Sequence, residues 1–289
     1  MAHEELAAGD LTVVIGDNAA DGEHRAGYNG IWRMKHSAQP ETPFVPTVAG
    51  LNLEHIFDGF KDADMKVFFE PRNAPMTLKR ADAATVELHQ PPTPTFHLES
   101  WTTFQLAPPD AVDFTFRCVP RQHAFEYGYI GLFWASYINA PEDKSMYFLG
   151  GADGSRGWQQ LCTPLHNNQS TVCKRGHRKP LRFAASFRDC LHKNLSPLVY
   201  DEPFFFGRFR NMTLLFLFDL DERLRITHSP SGGGFNREHN TSNPAWDFQF
   251  IISTYDVNET YSMRGRLIYR PGMTRAQILD ELAKWKGRG

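Results

Sequence analysis

The chain has 289 residues, 41% hydrophobic and 22% charged, the balance of an ordinary globular protein. A formal net charge of -2 supplies no cationic field for nucleic acid, and no apolar run is long enough to span a bilayer. The 23 Phe, 6 Trp and 9 Tyr, set among 22 Gly and 19 Pro, point to strands separated by turns.

In chain order, the acidic "MAHEELAAGD" carries no apolar h-region, so no secretory signal is visible and localisation stays open. "LTVVIGD" and "GIWRMKH" predict short strands, and "MKVFFEPR" with "MTLKRADAATVELHQ" predicts a hairpin. The stretch 93–106, "TPTFHLESWTTFQL", alternates. Phe96, Leu98, Phe104 and Leu106 form a core set, while His97, Glu99 and Trp101 share the opposite face. "AVDFTFRCVP", "YGYIGLFWASYINAP" and "SMYFLGG" continue the strand pattern. Residues 151–202 are polar, basic and weakly periodic, and read as a long loop-rich excursion of the kind that shapes binding sites.

Beyond it, "MTLLFLFDL" is apolar on both faces, as a covered central strand requires. "RLRITHSP", "WDFQFIIST" and "YSMRGRLIYR" predict three more strands. "TRAQILDELAKWKGRG" predicts the one clear helix: Thr274 and Gln277 have capping-box spacing, and Ile278, Leu279, Leu282 and Trp285 form an apolar stripe. The whole predicts an all-β fold: one large, mostly antiparallel β-sandwich over 1–289, closed by a C-terminal helix. Four cysteines are too few for a disulfide scaffold and lack zinc spacing, and there is no HExxH; neither a metal nor another cofactor is expected.

"GYNGIW", "GLNLEHIFDG", "LFWASYINAPED" and "SPSGGG" followed by "NPAWDFQF" together resemble an uncharacterised group of bacterial proteins in the galactose-mutarotase-like (supersandwich) superfamily. The resemblance covers most of the chain. It implies a supersandwich fold and a role in carbohydrate metabolism. It transfers no catalytic residue, because the settings in which aldose epimerases place their His and Glu are absent.

A carbohydrate ligand also suits the residues of the 93–106 stretch. Sugar rings offer an apolar C–H face to aromatics and a rim of hydroxyls to carboxylates and imidazoles. His97, Glu99 and Trp101 supply all three and are expected to line the floor of a ligand cleft. Glu99 is the first candidate for a general acid, set against an ion pair with a nearby Arg or Lys. Glu54 and His55 are candidates as well. In a regular strand they face opposite ways, with His55 on the side of Leu51 and Leu53. His166, in the excursion, is a candidate acid or base reaching over the sheet. Tyr137, Asn139, His228 and Asp247 are candidate substrate-binding groups near strand ends. Glycoside bond cleavage is expected first, pairing Glu99 with Glu54 or Asp247. Epimerisation or elimination through His166, His55 and Tyr137 is the alternative, and non-catalytic carbohydrate binding the rival. Nothing in the sequence sets the oligomeric state.

Overall fold

The computed structural model describes residues 2–152, 154–219 and 222–287. Strands β1 (His3–Ala8), β2 (Leu11–Gly16) and β3 (Gly30–His36) form a three-stranded antiparallel sheet. β4 (Asn52–Phe57) leads to a 3-10 turn at Lys61–Ala63 and two one-turn helices, α1 (Met65–Phe68) and α2 (Glu70–Asn73). A meander follows: β5 (Thr77–Arg80), β6 (Thr85–Gln90), β7 (Leu98–Ala107) and β8 (Ala111–Pro120). Then come β9 (Ile130–Ala135), β10 (Met146–Gly151), β11 (Gly157–Leu161), β12 (Thr171–Lys174) and β13 (Leu195–Tyr200). The chain ends with β14 (Phe204–Phe209), β15 (Met212–Phe218), β16 (Leu224–Ser229), β17 (Ala245–Ile252), β18 (Tyr261–Pro271) and α3 (Arg275–Lys286).

Among the described residues the main sheet has fifteen strands, ordered β4-β9-β17-β16-β12-β13-β10-β14-β15-β18-β8-β7-β6-β5, with β11 on β10. Its pairings are antiparallel except β12 with β13. The sheet folds back on itself to make the sandwich. Phe116 of β8 lies 4.8 Å from Trp134 of β9, and Phe218 of β15 lies 4.7 Å from Phe248 of β17, though neither strand pair is adjacent in the sheet. Each such ring contributes about 1.5–3 kcal/mol on burial.

Each half of the sheet is covered in part on its second face. α3 covers β15 and β18, burying Ile278 and Leu282 against Leu215, Leu217 and Ile268. Thr274 and Gln277 close its capping box. Leu279, assigned to the apolar stripe, stays 39% exposed. The face of β4, β9, β17, β16 and β12 is covered instead by α1, α2 and parts of the 151–202 excursion. That excursion contributes three strands as well as loops. "MKVFFEPR" is helical rather than a hairpin arm. The Asp64 side chain accepts from Lys66 N, Pro71 occupies the first turn of α2, and the Phe68 ring packs on His55.

Candidate functional site

The covered face holds a cleft of about 380 Å³. Its base begins with an irregularity in β4. Leu53 pairs with Trp134 and His55 with Phe133, so Glu54 is one residue too many. A β-bulge of this kind resets the alternation of a strand. Leu53 and Ile56 keep their places in the main core, while Glu54 and His55 both line the cleft. The strict alternation expected for this segment, with His55 on the side of Leu53, is therefore not what the chain does.

β17 is regular. Trp246, Phe248 and Phe250 enter the core, and Asp247 projects from the opposite face into the cleft. Tyr137, just past β9, joins it there. The remaining walls are Phe68, Phe69 and Arg72 from α1 and its C-terminal flank through α2, Tyr28 from the approach to β3, and His166, Arg188 and His192 from the excursion.

Hydrogen bonds hold these side chains in several small groups. Glu54 Oε1 accepts from the Tyr137 hydroxyl and from Arg72 Nη1 at 3.1 Å. Glu54 Oε2 lies 3.5 Å from His55 Nε2. The Arg72 guanidinium is sandwiched, 4.0 Å from the Tyr28 ring centre and 4.7 Å from that of Phe69. Asp247 Oδ1 accepts from Ser136 N at 3.1 Å. His55 Nδ1 and His192 Nε2 are 3.3 Å apart. His166 Nδ1 meets Ser229 Oγ at 2.7 Å.

Burial dominates the electrostatics. It raises the Glu54 carboxyl above the usual carboxylate range, against the pull of Arg72 and the Tyr137 hydrogen bond. It raises Asp247 much further, aided by the nearby charge of Glu54 and opposed by a single backbone donor. Asp247 thus holds its proton more tightly than Glu54 does. Burial also lifts Tyr137, so the phenol keeps its proton, and holds His166 below its ordinary value. It pushes His55 well down and His192 to about 3, so both rings are neutral near pH 7.

Glu54, His55, Tyr137, His166 and Asp247 are therefore brought together, and five other candidates are not. Glu99 and Trp101 alternate away from the core on β7 as expected, but on the outer face far along the sheet from the cleft. Glu99 accepts from Arg121 at 2.6 and 2.8 Å and sits 2.9 Å from His89, the ion pair set against its role as an acid. Burial opposes its ionisation, yet the His89 and Arg121 bonds prevail and lower it. Trp101 stacks on His89 at 4.9 Å, with Arg117 at 3.6 Å from its ring centre. His97 lies before β7 at φ 49°, in a turn where His97 N donates to Thr93 O, so it does not share the β7 register. His228 points to the Trp246 side of the sheet and is buried between Thr163 and Lys144 O. Burial pushes it down to about 4. Asn139 lies beyond the cleft, its backbone N bonded to Pro43 O.

His192 and Arg72 carry no local sequence signal for a place in the cleft. Tyr28 had one, as part of "GYNGIW". Among the described residues, no three His, Cys, Asp or Glu gather as metal ligands, and no helix is long and apolar enough to cross a membrane.

No protein-family model matches the chain, and no curated protein sequence is similar to it at a significant level. Solved structures are similar in fold. A candidate aldose 1-epimerase of Escherichia coli K12 matches with a TM-score of 0.57 and 9% identity, over 93% of this chain and 99% of that one. A galactose mutarotase related enzyme of Lactobacillus acidophilus matches at 0.53 and 11% identity, over 94% and 98%. An aldose epimerase homologue of C. elegans matches at 0.51 and 8% identity, over 94% and 99%. The chain thus has the galactose-mutarotase-like sandwich fold.

Proposed function

We propose that the protein is a carbohydrate-active enzyme that moves protons on a sugar held in this cleft, in the manner of an aldose epimerase. The observation that carries the reading is the buried pair of Glu54 and Asp247, whose surroundings drive their acidities apart. Arg72 and Tyr137 favour the Glu54 carboxylate, whereas Asp247 has one backbone donor and feels the Glu54 charge. Two carboxyl groups so separated divide the work of base and acid. Glu54 takes a proton from a sugar hydroxyl, and Asp247 gives one to the ring oxygen. His166 supplies a further hydrogen-bonding group at the cleft wall. Tyr28 and Phe69 present ring surface suited to a C–H face. The likeness in fold to aldose epimerases supports the same reading.

Glycosidic bond cleavage is the second reading. The observation in its favour is the same neutral acid beside a carboxylate, which hydrolysis also needs. One experiment separates them. Free aldoses are monitored by polarimetry or NMR for faster anomer exchange, and glycosides by product analysis, with Glu54→Gln and Asp247→Asn as controls. Anomer exchange lost in both variants supports the proposal. Released sugar lost in both variants supports cleavage. Binding with neither reaction across a broad panel leaves a non-catalytic carbohydrate-binding protein.

A further inference from the structure

We infer that His192, acting through His55, is a positioning residue that keeps a ring N–H aimed at Glu54 Oε2 and so favours the carboxylate form of the base. This rests on the reading of Glu54 as the base of the cleft. The argument is one of donors and acceptors. His55 Nε2 and His192 Nδ1 are buried and have no hydrogen-bond partner, while the other two ring nitrogens face each other at 3.3 Å. Each neutral imidazole carries one N–H. Two arrangements are possible across that contact.

In the first, His55 donates from Nδ1. Its bare Nε2 then faces Glu54 Oε2 at 3.5 Å, lone pair against carboxylate, and His192 keeps a buried N–H on Nδ1 with nothing to accept it. In the second, His192 donates from Nε2. His55 then carries its proton on Nε2, aimed at Glu54 Oε2, and the atom left without a partner is an acceptor. Buried orphan donors are the rarer and costlier case, so the second arrangement is favoured. The groups around the pair preserve it. Phe57 stacks on His192 at 4.0 Å, and Phe68 and Phe133 flank His55 at 3.7 and 4.9 Å. The charges of Arg72, Arg188 and Arg225 oppose a third proton on the pair.

The consequence is electrostatic. With an N–H pointing at Oε2, His55 adds a donor that favours the charged form of Glu54. Oε1 already accepts from Tyr137 and Arg72, so the donors on both oxygens act in the same direction. No carboxylate backs the second histidine; a neutral imidazole does the orienting.

The test is a long-range 1H–15N correlation spectrum of histidine-labelled protein at pH 7, assigned with His55→Gln and His192→Gln. The expected wild-type result is both rings neutral and protonated at Nε2. His192→Gln, whose amide still donates, should preserve the His55 tautomer, and His192→Leu should shift it to an averaged mixture. His55 protonated at Nδ1 or charged in the wild type overturns the inference. So does an unchanged His55 tautomer in His192→Leu, or in His192→Ala should the leucine variant fail to fold. The spectra need no sugar. If anomer exchange is absent but the tautomers are as stated, the functional reading falls and the dyad stands; active protein with the wrong tautomer gives the converse.

Discussion

The Tyr137 hydroxyl donates to Glu54 Oε1 at the base of the cleft, across 83 residues of sequence. It joins a strand end to the extra residue of a bulge, and both side chains are buried. Removing the hydroxyl withdraws a donor that favours the charged form of Glu54, so the Glu54 carboxyl should move still higher. For Tyr137→Phe the acid limb of the kcat/KM pH profile for anomer exchange should therefore shift to higher pH, with activity retained above it. Glu54→Gln should lose about 10²- to 10⁴-fold in kcat at every pH, the usual worth of one acid–base group. An unshifted acid limb in Tyr137→Phe would show that Glu54 does not set it.

Arg72 is the cation that compensates Glu54, at 3.1 Å and between two rings. Arg72→Met leaves a buried carboxylate without its cation, a change that costs about 3–5 kcal/mol. The loss should shrink as pH falls and Glu54 is protonated. In the double variant with Glu54→Gln most of it should disappear. Urea unfolding of the four proteins at pH 7, arranged as a double-mutant cycle, measures the coupling. Additive losses would mean that the pair does not interact in solution.

Asp62 lies under the same corner, buried beside Asp58, with Oδ1 accepting from Asp58 N at 3.2 Å and Gly59 N at 2.9 Å. Burial first, and Asp58 next among the groups that raise it, push its carboxyl up to about 7. The folded state keeps a proton that the unfolded chain has lost above about pH 4. Asp62 therefore contributes stability that is full below the unfolded pKa and is lost as pH rises through about 7. The slope approaches roughly 1.4 kcal/mol per pH unit over that window. Asp62→Asn keeps the Oδ1 acceptor and should flatten the fall in Tm between pH 5 and 8 seen by calorimetry. Parallel curves for the two proteins would contradict this.

The strands were legible because alternation and turn formers are local signals. "AVDFTFRCVP" spans the same residues as β8, and the opposed faces of β17 follow from Asp247 and Gln249 alternating with Trp246, Phe248 and Phe250. The site was less legible because its placement is not local. A single bulge at Glu54 reverses the parity that a period of two assigns to His55. "MKVFFEPR" has the composition of a strand, but a side-chain cap at Asp64 and Pro71 turn it into the short helices that bring Arg72 to the cleft. His192 sits in a stretch without periodicity, and only the fold brings it to His55. Glu99 and Trp101 show the opposite failure. Their alternation was readable, but alternation says which residues share a face and not what lies opposite that face.

That distinction yields the last prediction. Glu99 and Trp101 belong to an outer surface cluster with His89, Arg117 and Arg121, so changing them should alter stability and leave the cleft alone. Glu99→Gln breaks a partly exposed ion pair, worth about 0.2–1 kcal/mol, and the loss should fade as pH falls through the lowered Glu99 carboxyl. Trp101→Ala forfeits the stack on His89 and the Arg117 contact. Its cost should be modest beside that of Leu98→Ala, whose side chain is fully buried and whose truncation costs about 2–5 kcal/mol. Sugar affinity and anomer exchange in Glu99→Gln and Trp101→Ala should stay within about two-fold of wild type, a difference of about 0.4 kcal/mol in transition-state terms. Urea titrations paired with the anomer-exchange assay decide the matter. If Trp101→Ala abolished sugar binding while leaving the urea midpoint in place, the outer face of β7 would be the ligand surface and the Glu54 cleft would not.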